Sequence, residues 1–564
     1  MKNPFKKRGQ KLVASSEAHL RRNFFRRISH IGEVRLLVVE WGLLVFVLFM
    51  FALTQSFWYS ESYSMSAFTS GGTFTEATLG KVSSLNPLFA STSSEKTLSK
   101  LLFAGLTAAD STGHVSNALA SSVRTPDSGK VWLVKLRSNL KWSDGEPLTN
   151  ADVLFTTALI QNPAVNSSYQ SALSRVSVSE NAEGEIVFEL PSSYADFPTT
   201  LDFPILPKHI LESVDPATLL ESNFSISPVS SGAFSYNATQ SIGSSGESVV
   251  YLSANQHYYK GTPRIASFVV HAYASLEDIK SALKSGSVSA TAELLPTDAQ
   301  EVSSRFIYQK QTAINSGVFL FFNTKTGLFK NKSLRKAVQS GLDIAEIRSL
   351  IDDELPLDYP ILKSQLALEQ WPTLPEHNLS AAKETIASSE VKDITLVTVQ
   401  TGYFPNLAED ISEQLTAMGF SVNKQVYAPG QEFMVNVIAS RSYDILLYEV
   451  DLGLSPDLLV YYHSSQASAS GLNLSNYNSS VSDDLILSAR ETVDENIKKQ
   501  KYEAFLSRWV DDAPAIGLYQ VNMSYFFDKN VKTFSEDNSL VAPTDRFADI
   551  KFWSVEKALK NRTP

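Results

Sequence analysis

The chain has 564 residues, 43% of them hydrophobic and 11% aromatic, with a formal charge of −10. That length exceeds one hydrophobic core and predicts two or three globular domains, and the composition excludes a disordered chain. Cysteine is absent, which removes disulfides, thiol nucleophiles and Cys-based metal sites together. The 8 His show neither HExxH nor paired spacing, so neither a metal nor another cofactor is predicted. Residues 1–35 hold 10 Lys/Arg and 2 Glu, a net of +8, and the remaining 39 basic and 57 acidic residues carry −18. A body this acidic does not bind nucleic acid through its general field.

Residues 36–58 form an apolar run broken by Glu40 near its start and by Thr54, Gln55 and Ser56 near its end. As a helix, Leu36 to Phe57 would be about 33 Å long, enough for a hydrocarbon core of about 30 Å. Arg21, Arg22, Arg26, Arg27 and Arg35 precede it, and Trp58 and Tyr59 suit the far interface. Basic flanks stay inside, so residues 1–35 are expected to be cytoplasmic and the body extracytoplasmic, in a single-pass cell-membrane topology. A cleavable signal peptide would need a shorter apolar core and a small-residue cleavage site, and Ser64-Met65-Ser66 matches poorly. Residues 59–70 read as a polar tether.

The body starts with an alternating strand near Thr73, followed by Ser84-Leu-Asn-Pro87 and a Ser/Thr loop holding Ser91 and Ser93. A helix is predicted from Glu95 to Phe103. Lys141-Trp-Ser-Asp-Gly145 reads as a turn, and Thr149 with Asp152 makes a capping-box pattern before an apolar helix. From Asp393 the rhythm becomes βαβαβ: strand 394–399, helix 406–418 closed by Gly419, strand 421–427, helix 431–440 and strand 443–450. This last strand stops abruptly at Asp451 and Gly453. In open α/β sheets ligands bind beyond the carboxyl ends of strands, so Asp451 is a carboxylate placed at the lip of a cleft. The plainer alternative is a turn Asp bonding its own backbone. Ser455, Pro456 and Asp457 read as the start of the next helix.

Together these landmarks resemble the extracellular solute-binding proteins of family 5, the oligopeptide/dipeptide type that serves ABC importers. The resemblance rests on Ser84-Leu-Asn-Pro87, Leu102-Phe-Ala-Gly-Leu106, Lys141-Trp-Ser-Asp-Gly145, Val229-Ser-Ser-Gly-Ala-Phe234, Leu320-Phe-Phe-Asn-Thr324, Leu334-Arg-Lys-Ala-Val338, Ala489-Arg-Glu-Thr-Val-Asp494 and Ala513-Pro-Ala-Ile-Gly-Leu-Tyr519, in that order. It implies a two-lobe α/β fold of the periplasmic-binding-protein kind behind one transmembrane helix. The first lobe would span 71–317 with an inserted subdomain at about 115–215, the second 318–524, and 525–564 would return to the first. The implied function is peptide capture for an ABC permease. In this family a Trp-x-x-Asp pattern supplies the carboxylate that pairs with a peptide's α-amino group. Tyr448-Glu-Val-Asp451 falls at that place, so the resemblance implies Asp451 and Tyr448 as ligand contacts, with Ser91 and Ser93 from the cleft loop.

Three rivals remain. Ser93-x-x-Lys96, Ser235-x-Asn237 and Lys325-Thr-Gly327 occur in the order used by penicillin-recognising serine enzymes, although such short motifs recur in a Ser-rich chain. The same fold could serve as a tethered ligand sensor, or bind a non-peptide solute.

Overall fold

The computed structural model describes residues 35–561, apart from 111, 243–245, 303–306, 352–354 and 535–538. The predicted basic segment lies outside the described residues up to 34. The chain divides into two compact units, Met1–Phe68 with Lys557–Pro564, and Thr69–Glu556.

In the first unit, helix α1 runs from Arg35 to Tyr63. Its stretch Val39–Ser56 has a mean hydropathy of 1.7 and is long and apolar enough to cross a membrane. The helix extends past residue 58, and the backbone from Ser64 to Thr69 is a strand, so the expected tether has regular structure.

The second unit contains two large hydrophobic cores. One gathers residues between Phe74 and Ile314, together with Met523–Trp553; the other gathers residues from Val318 to Tyr519. Strand β1 (Thr73–Leu79) and helix α2 (Ser93–Leu102) open the first lobe. Next come β2 (Ala120–Arg124), β3 (Val131–Leu136), helix α3 (Asn150–Gln161), β4 (Ser177–Glu180) and β5 (Ile186–Glu189). These four strands form an antiparallel sheet of order β2-β3-β5-β4. Its inward residues Trp132, Val134, Ile186 and Phe188 belong to the first-lobe core, so the subdomain shares that core. The Thr149–Asp152 box is present: the Thr149 amide donates to Asp152 at 2.8 Å. Trp142 is fully buried, and the neighbouring Asp144 bonds His209 at 2.9 Å, as a structural turn would.

Strands β6 (Phe234–Ile242), β7 (Glu247–Ala254) and β8 (Ser267–Tyr273) join β1 and the short β9 (Ala290–Thr291) in the main sheet. Strand β10 (Ile307–Phe322) then leaves the first lobe for the second. There β11 (Asp393–Val399), α4 (Phe404–Met418), β12 (Ser421–Tyr427) and β13 (Ile445–Asp451) form the predicted βαβαβ unit. Helices α5 (Ser480–Glu491) and α6 (Glu495–Asp512) follow, and β14 (Ala515–Asp528) runs back to the first lobe. The sheet order is β12-β11-β13-β10-β14-β9-β1-β8-β7-β6. Val318 to Phe322 are each no more than 1% exposed, because both faces of β10 are covered there, and this is why the run is continuously apolar. On α4, Leu407, Ile411, Leu415 and Met418 share one buried stripe, and Gly419 closes the helix at φ +111.

Among the described residues, only β10 and β14 contribute to both cores. Their pairing is irregular between Ala313 and Gly317, opposite Asn522 and Gln520. Val521 packs against both cores. At Gly317 a Cβ would press on the side-chain ends of Leu357 and Phe319, so glycine lets these side chains pack closely over the crossing point.

Three local readings differ from the structure. The helix expected from Glu95 starts at Ser93, because Thr92 and Glu95 form a capping box. The helix expected at 431–440 is α-helical only over Gln431–Phe433 and widens to a π-helix over Met434–Ala439. The helix expected at Ser455 is a short turn, Leu459–Tyr462; Asp457 accepts the Leu459 amide at 3.2 Å and also faces Arg490.

Candidate functional site

A cleft of about 840 Å³ lies between the two cores. From the first lobe it is lined by Ser93, Lys96 and Lys100 of α2, and by Asp202, Tyr258, Tyr259, Glu293 and Arg546. From the second it is lined by Val399, Phe404, Phe433, Met434, Tyr448, Glu449 and Asp451. An apolar, aromatic wall with a few convergent charges is the usual make-up of a small-ligand site.

Asp451 is the last residue of β13, paired with Ser316 on β10, and its side chain is solvent-accessible. Its Oδ1 accepts the Gly453 amide at 2.8 Å. This is the plain turn bond, and it occupies one oxygen only. Tyr461 donates its hydroxyl to the Asp451 carbonyl, which pins the strand end. Loss of bulk water in the cleft pushes the Asp451 pKa above the usual carboxylate range; Asp545 adds to the rise, and the Gly453 amide and Lys96 oppose it. Glu449, two residues earlier and so on the same face of the strand, is raised by burial and by Asp451, while a bond from Ser316 opposes this. Lys96 acts on both carboxylates from the opposite lobe. Tyr448 is half-buried against Phe433, ring centroids 5.5 Å apart.

The cleft thus brings together three of the four expected contacts, Asp451, Tyr448 and Ser93. Ser93 donates to Glu293, whose pKa burial raises. Ser91 lies outside the cleft lining, and both its amide and its hydroxyl serve Glu95 at 2.9 Å. Of the rival serine-enzyme motifs, Ser93 and Lys96 line the cleft but Lys325 does not.

Lys96, Asp202, Glu293 and Glu449 are cleft residues that the sequence reading missed. Alternation back from Asp451 could have found Glu449. Asp202 follows a short 3-10 turn, Phe197–Thr200, and no local pattern marks it. Although Asp202 keeps access to solvent, the surrounding cleft walls thin the water around its carboxylate and push its pKa to about 6; Lys100 opposes the rise, and Asp545 and Asp451 add to it. Lys100 itself is ion-paired with Asp545 at 2.8 Å. Among the described residues, no donor from another residue bonds the Asp202 carboxylate.

A folded-state pKa above the unfolded value means that ionising Asp202 costs stability. That cost appears as pH rises from about 4 to the folded value and is fully present above it. Asp202→Asn is therefore expected to stabilise the body at pH 7.5 by about 1 kcal/mol, allowing for solvent screening of an accessible carboxylate. Thermal melts should show the gain shrinking at pH 4.5. A gain equal at both pH values would remove ionisation as its cause.

The family model of the bacterial extracellular solute-binding proteins, family 5, matches residues 114–522. The oligopeptide-binding protein AppA of Bacillus subtilis is 25% identical over 495 residues, covering 82% of this chain and 89% of that protein. The solved structure of AppA from Bacillus subtilis in complex with a nonapeptide superposes with a TM-score of 0.73 at 24% identity, covering 87% of this chain and all of that one. NikZ from Campylobacter jejuni, solved in complex with Ni(L-His), gives a TM-score of 0.73 at 20% identity, covering 86% of this chain and 99% of that one. With a two-lobe fold, a cleft between the lobes and a family match across most of the body, this chain belongs to the bacterial extracellular solute-binding proteins, family 5.

Proposed function

We propose that the chain is a membrane-anchored, extracytoplasmic receptor that captures peptides by their free amino end and delivers them to the permease of an ABC importer. The observation that carries this reading is Asp451: a cleft carboxylate at a strand's carboxyl end, with one oxygen held by Gly453 and the other left for a ligand. An α-ammonium would supply the charge-assisted partner that this carboxylate needs once a bound ligand displaces its water. Tyr448, Phe433 and Met434 offer an apolar surface beside it, and Ser93 a hydroxyl on the opposite wall. A peptide's main chain would supply the contacts that do not depend on side-chain identity. Its relative AppA of Bacillus subtilis is named as oligopeptide-binding, which agrees with this reading. The lobes would span 71–317 and 318–524, with 525–564 returning to the first, and would move about the β10 and β14 crossings. Native mass spectrometry of the purified body is the direct test. Co-purified peptides with free amino ends are expected; a metal chelate, a sugar or another non-peptide solute as the retained ligand would replace the peptide reading.

Helix α1 supplies the anchor in this scheme. Protease added to intact cells is expected to remove the body and leave a fragment holding the basic segment and α1. A body protected from external protease would exclude this topology.

A further inference from the structure

The two lobes also touch through residues outside β10 and β14. Lys498, in the first turn of α6, donates its ammonium to Asp196 of the first lobe at 2.6 Å. The Lys498 side chain is 6% exposed and that of Asp196 21%, so this pair is largely out of water. Beside it, the Arg490 guanidinium sits 3.9 Å from the centroid of the Tyr194 ring, and the Ala195 amide donates to the Arg490 carbonyl at 3.1 Å. Three successive first-lobe residues are therefore held by two second-lobe helices.

We propose that these contacts form a clasp that holds the lobes together independently of the ligand and sets the balance between open and closed clefts. Tyr194 belongs to the first-lobe core, and α5 and α6 pack on the second through Ile486, Ala489, Tyr502 and Phe505. Rotation about the β10 and β14 crossings that separates the lobes at this point must break an ion pair, a cation–π contact and a backbone hydrogen bond together. A partner left behind in a desolvated pair is costly, so the clasp opens as a unit. The clasp is also joined to the cleft. Arg490 faces Asp457 at 3.4 Å, and Asp457 ends the loop that starts at Asp451. Tyr502 holds the same loop, donating to the Pro456 carbonyl at 2.5 Å. Arg490 is thus a positioning residue: it touches Tyr194 on one side and the loop behind Asp451 on the other.

The absence of native cysteine makes the test clean. Nitroxide labels at Ala217→Cys and Ala417→Cys, both exposed and one in each lobe, report the interlobe distance in the ligand-free full chain in detergent micelles. The parent is expected to show mainly the short distance. Asp196→Lys and Lys498→Asp, made singly, should each raise the ratio of long to short distances at least about tenfold, the effect of about 1.4 kcal/mol. The two reversals combined should restore the parent distribution, and this rescue separates a clasp from general damage to the fold. Single reversals that leave the distances unchanged overturn the clasp. So does a lengthening that the double reversal fails to restore. Because ligand is absent throughout, either failure leaves the peptide reading standing.

Discussion

Asp451→Asn is expected to abolish the distinction between a peptide with a free amino end and its N-acetylated twin. The wild-type chain should bind the free-amine peptide at least about 30-fold more tightly, since removing one partner of a desolvated charge pair costs about 2–5 kcal/mol. Asparagine keeps the shape and can still accept the Gly453 amide, so the turn at the strand end is preserved while the charge is lost. The pH dependence has a defined sign. Asp451 must be ionised to hold an ammonium, and its pKa is raised by loss of bulk water in the cleft, so affinity falls as pH drops through that raised value. Lys96 modifies this from the opposite wall, because it favours the ionised form of both Asp451 and Glu449. Calorimetry with the two peptides, on wild type and Asp451→Asn, checks each part. Equal wild-type affinity for the two would show that Asp451 does not hold the amine.

The parts of this site that could be read from sequence are those set by local periodicity. The strand ending at Asp451 is legible because an apolar run stops at a turn, and the stripe on α4 because Leu407, Ile411, Leu415 and Met418 recur at helical spacing. The ordered series of short motifs carried the two-lobe family fold. What was not legible depends on contacts between distant segments. Lys96 and Asp202 face Asp451 only because β10 and β14 bring the first lobe over the second, and nothing adjacent to Asp202 marks it. Ser91 and Ser93 look alike in sequence. The capping box separates them: Ser91 bonds Glu95 near the helix start, and Ser93 turns toward Glu293 in the cleft. The π-helix at Met434–Ala439 was missed because 3.6-residue periodicity assumes a regular helix, and wide turns of this kind occur often at functional sites. The start at Ser455 was misread because Asp457 looks like a first-turn residue, whereas Arg490 and the Leu459 amide both draw on its carboxylate.

Arg546→Met is expected to produce the largest loss of stability, about 3–5 kcal/mol, because it strands a buried charge. Arg546 and Glu76 have side-chain exposures of 2% and 0%, and the guanidinium donates to Glu76 from Nε at 3.0 Å and from a terminal nitrogen at 2.5 Å. The Tyr525 hydroxyl donates to the other Glu76 oxygen at 3.2 Å. Arg546 also donates to the Pro543 carbonyl at 2.6 Å, and its guanidinium carbon lies 4.1 Å from the Phe547 ring centroid. These bonds fasten the C-terminal segment to β1 and to β14 beside the cleft, which Arg546 lines. The loss should therefore fall on the first lobe, whose core contains Phe74, Tyr525 and Phe547, and calorimetric unfolding should show that transition moving down. The pair itself adds less than this figure suggests, since desolvation offsets much of the attraction between two buried charges. Glu76→Met combined with Arg546→Met removes both charges and should recover most of the loss. Such strong non-additivity is the signature of a direct pair. If Arg546→Met costs less than about 1 kcal/mol, or if the two losses simply add, water reaches Glu76 and the pair does not hold the segment in place.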